Sequence, residues 1–158
     1  MKLKDLVLEK AILPALKGAK RDECIGELLD ALVKAGAFKA SLRSEFLKAV
    51  VKREKKGSTG FGHGVAVPHV KTTEVTRCVA AIGLHTAGID FNALDRQPVH
   101  AVFLLLSPEE QPEAHLDAME SLFGTLSQEQ FRKFLKQART VADVVTLLEE
   151  ADANPPAR

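Results

Sequence analysis

The chain has 158 residues, enough for one compact domain with a sizeable core and too few for two. With 22 Lys and Arg against 21 Asp and Glu, its formal net charge of +1 creates no field of one sign that would draw nucleic acid or a membrane surface. Hydrophobic residues make up 46% and charged residues 27%, and the absence of Trp and Tyr removes the usual platform for stacking bases.

The first residues, Met1-Lys2-Leu3-Lys4-Asp5, are not followed by an apolar leader. No stretch approaches the roughly 20 apolar residues of a membrane helix, so the expectation is a cytoplasmic protein without direct membrane insertion. Residues 12–16 are a weak strand candidate that Pro14 confines to an edge or a bend. From 21 to 35, Cys24, Leu28, Leu32 and Ala35 recur at helical spacing and Gly36 supplies a stop. A second helix is predicted over 41–56, with Leu42, Phe46, Leu47, Val50 and Val51 facing inward and Gly57 ending it. Residues 65–67 form a short strand candidate. Residues 78–84 and 99–106 are continuous apolar runs, the pattern of strands covered on both faces. Three helices follow, near 111–126, 128–137 and 141–149, and residues 151–158, with two prolines, read as a flexible tail behind a domain at 1–150. The alternation of helices with buried strands predicts an α/β fold. It is a single three-layer domain whose central sheet, mixed and mostly parallel, has helices on both faces. Cys24 and Cys78 show neither metal spacing nor a redox pair and read as reduced core thiols.

The segment Ser58-Thr59-Gly60-Phe61-Gly62-His63-Gly64-Val65-Ala66-Val67-Pro68-His69-Val70-Lys71 is the most informative part of the chain. Gly60, Gly62 and Gly64 leave the main chain bare, so a phosphate or a second molecule can approach it closely. Pro68 cannot donate to a sheet and biases Val67 toward an extended conformation, which predicts that pairing ends there and that His69 lies at the strand's exit. A neutral imidazole so placed can act as a nucleophile near neutral pH without a metal; a surface histidine after a tight turn is the other reading of the same residues. Arg53 extends the inward stripe of Phe46 and Val50 and ends a helix leading into this loop. It either reaches a phosphate on His69 or serves the helix C-terminus, pairing with Glu54 at the rim. His115 shares a stripe with Met119, Leu122 and Leu126 in the first turns of its helix, where free amides favour an anion. It too reads either as a site residue or as a structural histidine.

Several chemistries are excluded. His63 and His69 lack further ligands at metal spacing, so no metal site and no cofactor is expected. His63 reads as a loop residue, His85 as a strand-end residue and His100 as a residue of a central strand. The acidic residues form no catalytic pair. The glycine segment is neither a Walker loop nor a dinucleotide fingerprint, and residues 52–56 read as a solvated helix face.

Taken together, Lys52-Arg53-Glu54, the segment 58–71, Gly88-Ile89-Asp90-Phe91-Asn92-Ala93-Leu94-Asp95, Gln97-Pro98-Val99, Val102-Phe103-Leu104-Leu105-Leu106 and His115-Leu116 resemble the enzyme IIA domains of the fructose–mannitol type. These belong to the phosphoenolpyruvate-dependent sugar phosphotransferase system and include stand-alone nitrogen-regulatory relatives. The resemblance covers nearly the whole chain. It implies that His69 accepts a phosphoryl group, that Arg53 and His115 assist, and that Thr59 and the glycines shape the loop. It implies a carrier that takes the group from an HPr-like phosphocarrier protein and passes it to a separate IIB component. The alternative is a regulatory domain whose phosphorylation state controls which protein it contacts, without sugar transport. No transporter segment is attached, so exchange with separate proteins is expected; neither the sugar nor the oligomeric state is read from the sequence.

Overall fold

The structure, a computed structural model, describes residues 1–155. Its elements in chain order are α1 (Leu3–Leu6), β1 (Val7–Leu13), α2 (Arg21–Lys34), a 3-10 turn (Ala40–Leu42), α3 (Arg43–Lys56), β2 (Gly60–Gly62), β3 (Val65–Ala66) and β4 (His69–Thr72). They continue with β5 (Val79–Ile89), β6 (Val99–Pro108), α4 (Pro112–Leu126), α5 (Glu129–Gln137) and α6 (Val141–Ala153). The strands form one six-stranded sheet ordered β1-β5-β6-β3-β2, and β4 also pairs with β6 beyond β3. Three of the five strand pairings are parallel (β1–β5, β3–β6 and β4–β6) and two are antiparallel (β2–β3 and β5–β6). The sheet is therefore mixed, and its longest pairing, β5–β6, is antiparallel.

Period-2 alternation along β5 and β6 divides the core. Val79 and Ala81, with Val102, Leu104 and Leu106, pack against Ile25, Leu28, Leu29 and Leu32 of α2 and Phe46 and Val50 of α3. Ala80, Ile82 and Leu84, with Ala101, Phe103 and Leu105, face the opposite way onto α4, α5 and α6. Both faces of β5 and β6 are therefore apolar, which explains their unbroken hydrophobic runs. The three-layer α/β arrangement follows, with both cysteines buried and unpaired. Burial and the carboxylates of Glu27 and Glu23 push the Cys24 thiol up to about 11, so it is unreactive at neutral pH.

Several boundaries differ from expectation. The first strand spans Val7–Leu13 and stops just before Pro14, which terminates it, although it does occupy the sheet edge. The lapse at Pro68 occurs as expected, but pairing resumes at once: Pro68 O accepts the Leu105 amide at 3.0 Å and β4 begins at His69. His69 is thus the first residue of a new strand. At the other end, α6 continues through Ala153, three residues into the stretch expected to be flexible; residues 156–158 of that tail lie outside the described residues. The short helix α1 is capped from far along the chain, its Leu3 and Lys4 amides donating to the Asp152 carboxylate at 2.7 and 3.0 Å. Among the described residues no helix is long and apolar enough to cross a membrane.

Candidate functional site

Register along β6 determines which side chains meet. His69 pairs with Leu105 and Lys71 with Ser107, so all four side chains share the sheet face covered by α4. His115, in the first turn of α4, reaches the same place: its ring centroid lies 5.5 Å from that of His69, the rings tilted by 47°. The two histidines that the sequence singled out, 46 residues apart, therefore form a pair.

Each ring is held through Nδ1. His69 Nδ1 lies 2.8 Å from Val67 O. Because a carbonyl can only accept, Nδ1 carries the proton and Nε2 of the neutral ring keeps its lone pair. His115 Nδ1 lies 2.7 Å from Ser107 Oγ, a hydroxyl with no solvent exposure at the end of β6. Burial lowers the pKa of His69 below its ordinary 6.5; the Val67 contact and Glu54 oppose this, and the charges of Arg53 and Lys71 add to it. Burial also lowers the pKa of His115, helped by His69 and Lys71. Both rings are therefore neutral at pH 7.

Arg53 is half-buried at the end of α3, and one terminal nitrogen of its guanidinium donates to Gly57 O at 2.9 Å. The sequence offered two roles for this residue, and the structure contains elements of both. The arginine caps its own helix end, while its charge is felt at His69. The reading of Glu54 as a rim partner is corrected. Phe46, Val50 and Glu54 form the inward stripe at i, i+4 and i+8, and Glu54 is 3% exposed.

The Glu54 carboxylate accepts the Thr59 amide at 3.2 and 3.3 Å and also the Thr59 hydroxyl. Thr59 O in turn accepts the Val67 amide at 3.3 Å, and Val67 O holds His69. A continuous line of hydrogen bonds thus runs from α3 through Thr59, just before β2, and Val67, just after β3, to the imidazole. Thr59 is committed inside this line. Gly60 packs so closely on the loop after β5 that a Cβ there would lie 2.9 Å from the Ala93 Cβ. The same loop ties the segment down through Ser58 Oγ to Phe91 O at 2.8 Å and Leu94 N to Gly60 O at 2.9 Å. Gly62 and Gly64 turn the hairpin at its far end, where Gly64 O accepts the His100 amide at 2.8 Å. That position lies about 17 Å along β6 from the level of His69, at ~3.3 Å per residue.

Sequence reasoning missed Glu54 as an anchor and did not single out Ser107. The signal for Glu54 was its place in the inward stripe. For Ser107 it was its parity with Leu105 on a strand buried on both faces. Among the described residues no group of three or more His, Cys, Asp or Glu side chains could hold a metal ion.

A family model described as "Phosphoenolpyruvate-dependent sugar phosphotransferase system, EIIA 2" matches residues 6–151. The chain is 34% identical over 157 residues to a nitrogen regulatory protein of Bradyrhizobium diazoefficiens, covering 99% of this chain and 98% of that one. It is 32% identical over 152 residues to the PTS system fructose-specific EIIABC component of Bacillus subtilis, covering 96% of this chain but only 24% of that protein. Among solved structures it is similar to the nitrogen regulatory protein IIA-Ntr of Neisseria meningitidis, with a TM-score of 0.83 and 26% identity over 92% of this chain and 98% of that one.

Proposed function

The chain belongs to the EIIA 2 family of the phosphoenolpyruvate-dependent sugar phosphotransferase system, and from that premise we propose that it is a cytoplasmic phosphoryl carrier with His69 as its acceptor. The observation that carries this reading is the pair of neutral imidazoles, His115 buried and His69 half-buried, with His69 tied back through Nδ1 so that Nε2 is the unprotonated nitrogen.

In this reaction His69 Nε2 attacks the phosphorus of a phosphohistidine on an HPr-like carrier protein. The Nε2–P bond forms as the donor's N–P bond breaks, and the departing imidazole takes the electron pair. Val67 O keeps the His69 proton on Nδ1 throughout. The Arg53 guanidinium, with nitrogens beyond the one bound to Gly57, supplies charge to the phosphoryl oxygens. His115 supplies a donor. The Cys78 thiol lies 3.6 Å from Ser107 Oγ and donates to it, leaving the Ser107 proton for His115 Nδ1. His115 then carries its own proton on Nε2, available to a phosphoryl oxygen. Catalysis rests on positioning and charge, not on a cofactor.

The acceptor next in line is a IIB component. The similarity to one part of a protein whose name joins A, B and C components supports this. The regulatory reading, in which phosphorylation alters which protein is contacted, is supported by the end-to-end similarity to a nitrogen regulatory protein.

The test is intact-mass analysis after incubation with phosphoenolpyruvate and the general phosphotransferase proteins. One acid-labile phosphoryl group on the wild-type chain and none on His69→Ala is expected. Equal labelling of both would overturn the assignment. Mixing the phosphorylated chain with purified IIB proteins then separates the two destinations, since transfer is expected only under the transport reading.

A further inference from the structure

A cavity of about 390 Å³, within the range typical of small-molecule sites, lies away from His69, at the opposite end of β6. Arg132, Lys136 and Arg139, at α5 and just after it, line one side of it; His63, His85 and His100 line the other. Leu84, Ala101 and Leu135 give it an apolar floor. Three cations thus line one cavity in a chain whose whole formal charge is +1.

Among the described residues one carboxylate lines the cavity, that of Asp95, and its oxygens accept the Gln97 amide at 3.0 Å and the His63 amide at 3.2 Å. Among the described residues none of the three cations forms an ion pair. Asp143 feels the Arg139 charge without forming an ion pair with it, and its carboxylate accepts the Arg139 and Thr140 amides at 2.9 and 3.2 Å. Two of the cations are also fixed in place. Arg132 donates to Leu126 O at 2.9 Å, and Arg139 to the Lys136 and Ala138 carbonyls at 2.9 and 3.0 Å, in each case through a single terminal nitrogen. The remaining N–H groups of each fork are left for a ligand.

The facing wall is built as tightly. The His100 ring is seated between Gly64 and Gly88: a Cβ at Gly64 would make ordinary contact with Cδ2 at 3.5 Å, whereas one at Gly88 would press on Cε1 at 3.0 Å. Its Nδ1 donates to His85 O at 3.0 Å, which leaves Nε2 as an acceptor. His85 has no such freedom: Nδ1 accepts the Gly88 amide at 3.0 Å and Nε2 donates to Gly18 O at 2.8 Å.

We infer that this cavity binds a small organic phosphate monoester. The Arg132, Lys136 and Arg139 side hosts its phosphate, the His100 side accepts from a hydroxyl, and the floor receives the carbon skeleton. A monoester suits the cavity better than a bare anion, because two forked guanidinia match a phosphate while the apolar floor offers a bare anion nothing. The site shares no side chain with the His69 pair.

The experiment is an amide NMR titration of the full chain with glucose 6-phosphate, with inorganic phosphate and with glucose. Saturable shifts from glucose 6-phosphate are expected at 63–65, 85–88, 98–101 and 132–139. Binding should weaken about tenfold or more in Arg132→Gln/Arg139→Gln and also in the exposed single variant Lys136→Gln, a loss of ~1.4 kcal/mol. His69→Ala should bind as wild type does, which keeps the outcome independent of the carrier reading. Shifts centred on His69 and Arg53, shifts undiminished in both cation variants, no saturation, or equal affinity for inorganic phosphate would each overturn the proposal.

Discussion

Imidazoles gather at both ends of β6, and the two groups differ in what their ring nitrogens are bound to. Near Gly88, His85 has both nitrogens committed, one to an amide and one to a carbonyl. Both bonds hold neighbouring backbone in place. Near Leu105, His69 has only Nδ1 committed, and a carbonyl fixes the proton there. The difference shows that reactivity among histidines of one domain is set by which lone pair the backbone leaves over. Burial then reinforces the choice. His69 and His115 are both pushed toward the neutral form, whereas His63, at the other end, projects from a turn into solvent.

Substituting the free nitrogen should produce the largest effect. His69→Ala is expected to abolish phosphoryl acceptance, while His85→Gln should lower thermal stability and leave acceptance intact; intact mass and a thermal melt read the two. If His85→Gln also abolished labelling, the contrast between the two ends would collapse. His115→Ala should slow labelling by about 10²-fold, the usual cost of removing one donor from a developing charge, as measured by quenched time courses.

Glu54→Ala tests the line of hydrogen bonds rather than the ring. It strands the buried Thr59 amide and hydroxyl and should cost ~2 kcal/mol in urea unfolding, with slower labelling as His69 loses its anchor. Unchanged stability would show that the line positions nothing. Ser107→Ala should have a smaller effect, slowing labelling about fivefold for the loss of ~1 kcal/mol of hydrogen bonding, with the fold intact by circular dichroism.

The smallest effect is a dependence on pH. Because the folded pKa values of His69 and His115 lie below 6.5, the unfolded chain takes up protons first as the pH falls. Stability contributed by the neutral pair is therefore fully present above pH 6.5 and is lost as the pH drops through the folded values. Urea titrations from neutral pH down to about 5 should show this decline, and the double variant His69→Ala/His115→Ala should flatten it.

How much of this the sequence disclosed depended on the range of the forces involved. Local periodicity announced α2, α4, α5 and the doubly buried β5 and β6, because burial on one stripe or on two faces leaves a regular apolar pattern. It also placed His115 on the inward stripe with Leu122 and Leu126, which are buried as expected. The pieces β2, β3 and β4 are two to four residues long and separated by glycine or proline, too short for a period to register, and of them only β3 coincides with an expected strand, the short candidate at 65–67. Glu54 escaped because a carboxylate in an apolar stripe reads as a rim residue until its partner, Thr59, is seen behind it. The register that aligns His69 with Leu105, and so with Ser107 and His115, is a tertiary fact. The cationic cavity joins residues more than 60 positions apart and left no local trace.

The cap that Asp152 places on α1 has a consequence for how such a domain can be wired into larger proteins. Its bond to Leu3 spans 149 residues of sequence and brings the two ends of the domain to one spot. A chain entering and leaving at a single point can be grafted into another polypeptide without stretching the fold. His69 lies elsewhere, at the β4–α4 edge of the sheet, and keeps its approach to visiting proteins. The same geometry makes the domain permutable: joining the ends and opening the turn at Ser127 should leave the six-stranded sheet as it is.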